Sequence, residues 1–163
     1  MKKTIEEVIA EAAIKDVQMR YCRACDRADY DLLRECFHAD ATTSYGFFGG
    51  TVDDFVASAR QQLPLFLNTT HNTGNQNVVV TGETAWAEHY TVATHRLAAD
   101  ADNPLRDFVT AVRYIDRLEC REGDWRIAHR ALVLDWTRTD PVGEVPPDPD
   151  VPRAKRDKSD LSY

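Results

Sequence analysis

Three groups of titratable side chains in this sequence could move a proton. Asp26 closes a long amphipathic stretch. His71 sits in the polar run Thr69-Thr70-His71-Asn72-Thr73-Gly74-Asn75, and His95 ends a segment that also carries His89. Imidazole titrates near neutral pH, so a histidine can serve as a base. A carboxylate beside it can hold the ring in one tautomer and stabilise its charged form. An aspartate at a helix end is ordinarily solvated or a cap, and a histidine among short polar residues suits a loop as well as the mouth of a site. His38 follows Phe37 in an expected helix-to-strand turn and reads as structural. His129 and Arg130 are neighbours, so only one of the two can face a cavity.

Composition limits what such groups could act on. Lys plus Arg number 20 against 27 Asp plus Glu, a net charge of −7. That balance argues against binding a phosphate backbone or an anionic lipid surface. No run approaches the ~20 apolar residues of a membrane span. No apolar segment follows Met1-Lys2-Lys3, so the chain is expected to be cytoplasmic with reduced thiols. Of the four cysteines, Cys22 and Cys25 form a C-x-x-C spacing. It lies within a helical pattern and has no second pair to complete a zinc site, so it reads as structural. No metal, nucleotide or flavin motif is present, and no cofactor is expected.

The elements that must carry these residues follow from capping and period. Thr4 and Glu7 form a capping-box pattern, and Ile14, Val17, Tyr21, Ala24 and Cys25 recur at helical steps. The first helix is expected from about Ile5 to Arg27. Asp29 can cap a short second helix, and Thr51 a third that Pro64 should stop or kink. Ala41 to Tyr45 reads as a short strand and Gly46 to Gly50 as its turn. Strands follow over Asn77–Thr81, Ala85–Leu97, Phe108–Cys120 and Trp125–Trp136, with turns at Gly82-Glu83 and Glu122-Gly123-Asp124. Helices first and a long-stranded antiparallel sheet second make an α+β domain over residues 1–138. Residues 139–163 hold five of the seven prolines. They read as an extended or disordered polar tail, with a strap laid over the domain as the alternative.

On the strand after Gly82, one face carries Ala85, Ala87, His89, Thr91, Ala93 and His95. Small residues beside two imidazoles suggest the wall of a cavity, not a packed core. Phe108 and Tyr114 share a face of the next strand, and Arg130 and Leu132 share one of the last. Trp86, Tyr90 and Val92 lie on the opposite face, which suggests a covered outer surface and hence a homo-oligomer, a dimer or trimer.

The stretch from Tyr21 through Asp26 to Arg34 resembles the first-helix signature of the SnoaL-like family, in the nuclear-transport-factor-2-like superfamily. Thr70-His71, Gly74-Asn75, Gly82-Glu-Thr-Ala85 and Gly123-Asp-Trp125-Arg-Ile127 follow in that family's order. The resemblance covers roughly Ile5 to Trp136. It implies a cone-shaped α+β barrel, a curved and mainly antiparallel sheet wrapped around the N-terminal helices. Within the family the pattern is nearest to the scytalone dehydratase and bile acid 7α-dehydratase types. That likeness implies a catalytic Asp26–His71 pair, with His95 as the second histidine and Tyr45 as an active-site tyrosine. Tyr21 matches a tyrosine of the bile acid type. Two positions depart: the tyrosine expected just before the aspartate is Cys25, and a cavity asparagine is Tyr114.

The combined expectation is a cofactor-independent lyase acting on a small apolar or polycyclic hydroxy-carbonyl compound. His71 would be the base, Asp26 its orienting partner, Tyr45 and Tyr21 the donors to a developing enolate, and His95 the group that protonates or binds the leaving hydroxyl. Tyr21, Asn75, His89, Phe108, Tyr114, Arg130 and Leu132 would contact substrate. An isomerase or cyclase using the same pair, or a non-catalytic subunit like the small subunit of ring-hydroxylating dioxygenases, are the alternatives.

Overall fold

The computed structural model describes residues 2–46, 48–143 and 148–163. Phe47, in the expected turn after the first strand, and Pro146 and Pro147 of the tail lie outside the described residues. The first helix, α1, spans Ile5–Arg27. Thr4 caps it: its side chain accepts from the Glu7 N–H while the Glu7 carboxylate accepts from the Thr4 N–H. Ala28, in the left-handed region at φ 51°, ends it by turning its N–H back onto the last carbonyls. Asp29 caps α2 (Tyr30–Glu35). Thr51 and Asp54 form the capping box of α3 (Val52–Gln62), which passes into a 3-10 turn at Leu63–Leu65 containing Pro64. Proline at the start of that turn gives up an N–H that needs no partner there.

Six strands form one curved, unclosed sheet in the order β2-β1-β6-β5-β4-β3. They are β1 (Phe37–Ser44), β2 (Gly49–Thr51), β3 (Asn68–Thr81), β4 (Thr84–Leu97), β5 (Arg106–Arg121) and β6 (Asp124–Pro141). All pairings are antiparallel except β1 with β6. The turn between β5 and β6 has both Glu122 and Gly123 at positive φ, as a two-residue hairpin that matches strand twist requires.

Three strands run well past the bounds the sequence predicts. β1 begins at Phe37, because Phe37 is buried opposite Ile127 and the ladder starts there. β3 begins nine residues before the expected Asn77. Its first half is Thr- and Asn-rich, so period and propensity give no signal, and pairing with β4 makes the strand. β6 runs on to Pro141, past the expected domain end at residue 138. Beyond it, residues 155–163 lie against the domain: Arg156 reaches backbone carbonyls of three residues, and the Tyr163 hydroxyl donates to Asp29 at 2.7 Å.

α1 packs against β3 and β6 of the sheet. Ile14 and Val17 share one buried cluster with Ala85, Ala87, Leu118 and Ile127. The small residues at the start of β4 therefore belong to the packed core and not to the cavity wall. From Ala93 onward the same strand face lines a cavity.

Candidate active site

The cavity holds about 400 Å³. Its walls are α1 (Tyr21, Cys25), α3 and the 3-10 turn (Phe55, Leu63), and the facing strands (His71, Ala93, His95, Phe108, Tyr114, Leu132). A bulge in β6 shapes one wall. Ala111 pairs with Trp136 but Val112 with Leu134, so Asp135 is the extra residue. The alternation reverses there, and Thr137 lines the cavity instead of Trp136.

Asp26 and His71 meet at the edge of this space. The Asp26 Oδ1 accepts from His71 Nδ1 at 2.7 Å and from the Thr69 hydroxyl at 2.9 Å. Its Oδ2 accepts from the His71 backbone N–H at 2.9 Å. A carboxylate only accepts, so Nδ1 carries the ring proton and Nε2 of the neutral ring keeps its lone pair. Burial would raise the Asp26 pKa. The hydrogen bonds and charge of His71, with Thr69, outweigh it and hold the carboxyl below its ordinary value.

His95 stands edge-on to His71, ring centroids 5.7 Å apart. Its Nδ1 lies 3.3 Å from the Phe108 carbonyl, which can only accept, so this ring too carries its proton on Nδ1. Burial, and then the neighbouring His71 charge, push its pKa down to about 4. His95 is therefore neutral near pH 7 and presents Nε2 as an acceptor. The expected role of protonating a leaving group does not fit that tautomer.

The buried Tyr21 and Tyr45 also line the cavity. The Tyr21 and Tyr45 hydroxyls are 3.1 Å apart, and Phe55 stacks on Tyr45 at 5.1 Å. Burial pushes both phenols up, with neighbouring Tyr114 and Tyr45 adding to the shift of Tyr21. Both keep their protons at neutral pH. One hydroxyl donates to the other, so the pair has a single further proton to give.

The structure thus brings together Asp26, His71, His95, Tyr45, Tyr21, Phe108, Tyr114 and Leu132. It does not bring in Asn75, His89 or Arg130. Asn75 is exposed at a bulge of β3, where the register with β4 shifts between Thr73 and Gln76. His89 is fully buried against the Tyr114 ring, 3.8 Å from the Asp116 carboxylate. Arg130 is fully buried too, paired with Asp116 at 2.6 and 2.8 Å. Its guanidinium lies 4.0 Å from the Tyr21 ring centre and 4.5 Å from that of Tyr114, and Arg130 is absent from the cavity lining. Sequence reasoning placed Thr69 in the polar run with His71 without giving it a role, and it missed the aromatic wall of Phe48, Phe55 and Phe66. Thr69 lies two residues before His71, and so on its face of β3. The stripe Val52, Phe55, Val56, Ala59 marks the buried side of α3.

An unclosed, curved sheet packed with a helix, with an aspartate–histidine contact at the cavity edge, is a cone-shaped α+β domain of the nuclear-transport-factor-2-like type. The SnoaL-like domain model matches residues 6–131, and the chain belongs to that family. A scytalone dehydratase-like protein from Novosphingobium aromaticivorans superposes with a TM-score of 0.73 at 22% identity, covering 85% of this chain and 97% of that one. A type 2 hexachlorocyclohexane dehydrochlorinase gives 0.76 at 17% identity, covering 90% and 99%. A type 3 form from Novosphingobium barchaimii gives 0.76 at 16%, covering 88% and 99%. Among curated protein sequences there was no match. No helix among the described residues is long and apolar enough to cross a membrane.

Proposed function

We propose that the chain is a lyase that eliminates water from a neutral, ring-containing β-hydroxy carbonyl compound without a cofactor. The observation that carries this reading is the Asp26–His71 contact at the wall of an apolar cavity. His71 Nε2 takes the C–H proton next to the carbonyl while Asp26 holds the ring and offsets its new charge. The Tyr21/Tyr45 pair donates to the carbonyl oxygen as it becomes an enolate. The C–O bond then breaks, and the hydroxyl leaves as water with the proton that His71 returns. His95 accepts a hydrogen bond from a substrate hydroxyl and so positions it.

The charge inventory supports a neutral substrate. Among the described residues Asp26 is the one anion touching the site, and it is taken up by three donors. Arg130 is committed to Asp116 and screened by aromatic rings. Arg156, behind the wall, is taken up by three backbone carbonyls, so among the described lining residues no cation faces a substrate carboxylate or phosphate.

The test uses 3-hydroxy-1-tetralone, which yields 1-naphthol on losing water, and follows naphthol fluorescence. Parallel incubation in deuterated water reads proton removal at the carbon next to the carbonyl. Naphthol formation that disappears in His71→Ala supports the lyase. Deuterium uptake without naphthol would favour an isomerase or cyclase with the same base. Neither signal, with intact folding, would favour a non-catalytic subunit.

A further inference from the structure

We propose that Arg156 is a positioning residue for this cavity: its guanidinium clamps the wall segment at Leu63–Phe66 to the end of α1 that carries Asp26. The proposal rests on the reading of the cavity as a binding site. Nη1 of Arg156 donates to the Leu63 carbonyl at 2.8 Å and to the Phe66 carbonyl at 2.9 Å, while Nη2 donates to the Cys25 carbonyl at 3.3 Å. Leu63, Phe66 and Cys25 all line the cavity. Cys25 directly precedes Asp26, and its carbonyl also accepts from Thr69 at 3.5 Å. One side chain from the tail therefore ties both ends of the site, without any residue from 148–163 reaching the cavity lining.

The wall segment needs such a tie. Its backbone leaves the helical ladder at Gln62 and has few bonds of its own. The Phe66 N–H reaches Leu63 at 3.2 Å and the Leu67 N–H reaches Arg96 at 2.8 Å. Leu65 and Leu67 are largely exposed, so burial does little to hold it. Only the planar fork of arginine offers donors spread widely enough for three carbonyls. An ammonium gathers its three donors on one point at the end of a flexible stem and cannot bridge the same span. The tail that delivers Arg156 is itself fixed to α1 through the Arg27–Asp160 contact at 3.3 Å, and Asp160 holds the turn by accepting from the Lys155 and Ser162 backbone N–H groups.

The experiment compares the full-length chain with Arg156→Met, Arg156→Lys and Asp160→Asn. Backbone amide hydrogen exchange is read over residues 63–67, and 1-naphthol affinity is measured by calorimetry. Removing a local tie exposes that unit to opening, so exchange over 63–67 in Arg156→Met should rise ~10-fold, with the hairpin at Gly82 unchanged. If the closed wall falls to about a tenth of the population, 1-naphthol should bind ~10-fold more weakly. Arg156→Lys should restore only part of both, and Asp160→Asn should show the same pattern more weakly. Unchanged exchange over 63–67 in Arg156→Met, or complete rescue by lysine, would overturn the clamp. Faster exchange in Arg156→Met when the wild-type chain does not bind 1-naphthol would uphold the clamp and count against the binding-site reading alone.

Discussion

Asp26 grips His71 twice, through the ring N–H at 2.7 Å and through the backbone N–H at 2.9 Å, with one oxygen of the carboxylate on each. The two residues are 45 positions apart, on α1 and β3. The backbone bond fixes where the strand passes the helix end, and the ring bond fixes which nitrogen faces the cavity. A single side chain thus sets both the position and the tautomer of the base. Thr69, two residues before His71, fills a further acceptor site of the same carboxylate.

From this follows a non-additive pair. Asp26→Asn should lose roughly 10²–10⁴-fold in turnover with the fold retained, because the imidazole loses its orienting anion. His71→Ala should lose about as much, and the double variant little more, since the two act as one unit. Steady-state kinetics on 3-hydroxy-1-tetralone measures this. Additive losses, or near-normal turnover in Asp26→Asn, would remove the pair from the mechanism. The same variant has a stability signature. The Asp26 pKa is lowered in the fold, so its ionised form favours the native state above about pH 4. That contribution fades as pH falls through the lowered folded value, and the stability gap to Asp26→Asn should shrink with it.

Much of the fold was legible in the sequence because its signals are local. Capping residues Thr4, Asp29 and Thr51 mark three helix starts, and period-2 alternation marks β4 correctly from Ala85 to His95. The same alternation misled at His89. It says which face of a strand looks inward, not which part of that face is packed core and which lines a cavity. Arg130 was hidden by a bulge. An unbroken hairpin from Arg121 and Asp124 would set Asp116 opposite His129, but the shift between Arg117 and Leu118 sets it opposite Arg130. The Asp26–His71 contact rested on family resemblance, since the polar half of β3 carries no strand signal of its own.

Acid should weaken the fold through two imidazoles, His89 in the core and His95 at the cavity. His89 and His95 are both pushed down to about 4, chiefly by burial, then by Arg130 for the first and by His71 for the second. Unfolding returns both toward ~6.5, so the unfolded chain binds more protons between about pH 6.5 and 4. Stability should fall as pH drops through that window, by up to ~3 kcal/mol for each histidine. Urea unfolding at a series of pH values checks this. In His89→Gln the slope over that window should lessen; an unchanged slope in both His89→Gln and His95→Gln would contradict it.

Asp116 should be among the most sensitive positions for stability. It is fully buried, holds Arg130 with both oxygens, and accepts from Gln18 at 3.3 Å. Asp116→Ala would leave the guanidinium buried without its anion, at a cost of about 3–5 kcal/mol. Replacing both members, Asp116→Leu with Arg130→Met, should cost less than Asp116→Ala alone, because no uncompensated charge remains. Denaturant unfolding of the three chains tests the order, and a double variant weaker than Asp116→Ala would refute it.

The outer face of the sheet should bind a second copy of this chain. Trp86 is 57% exposed and sits beside Val79 of β3 in the register of the two strands. Tyr90 and Val92 continue the same face of β4, and Val92 leads through Ala111 of β5 to the exposed Trp136 of β6. The patch therefore crosses four strands on the side away from α1, and a monomer rarely leaves such an apolar area open. Charges within it are already paired: Arg113 lies over the Tyr90 ring and bonds Glu88 at 2.9 Å and Asp135 at 3.4 Å. Pairing inside one chain lowers the cost of covering these groups with another. A homodimer or trimer is expected by sedimentation velocity at micromolar concentration. Trp86→Glu with Tyr90→Glu should shift it to an 18.5 kDa species with unchanged circular dichroism. These two side chains are absent from the cavity lining, so turnover per chain should survive the change. A wild-type chain that sediments only at 18.5 kDa would rule the interface out.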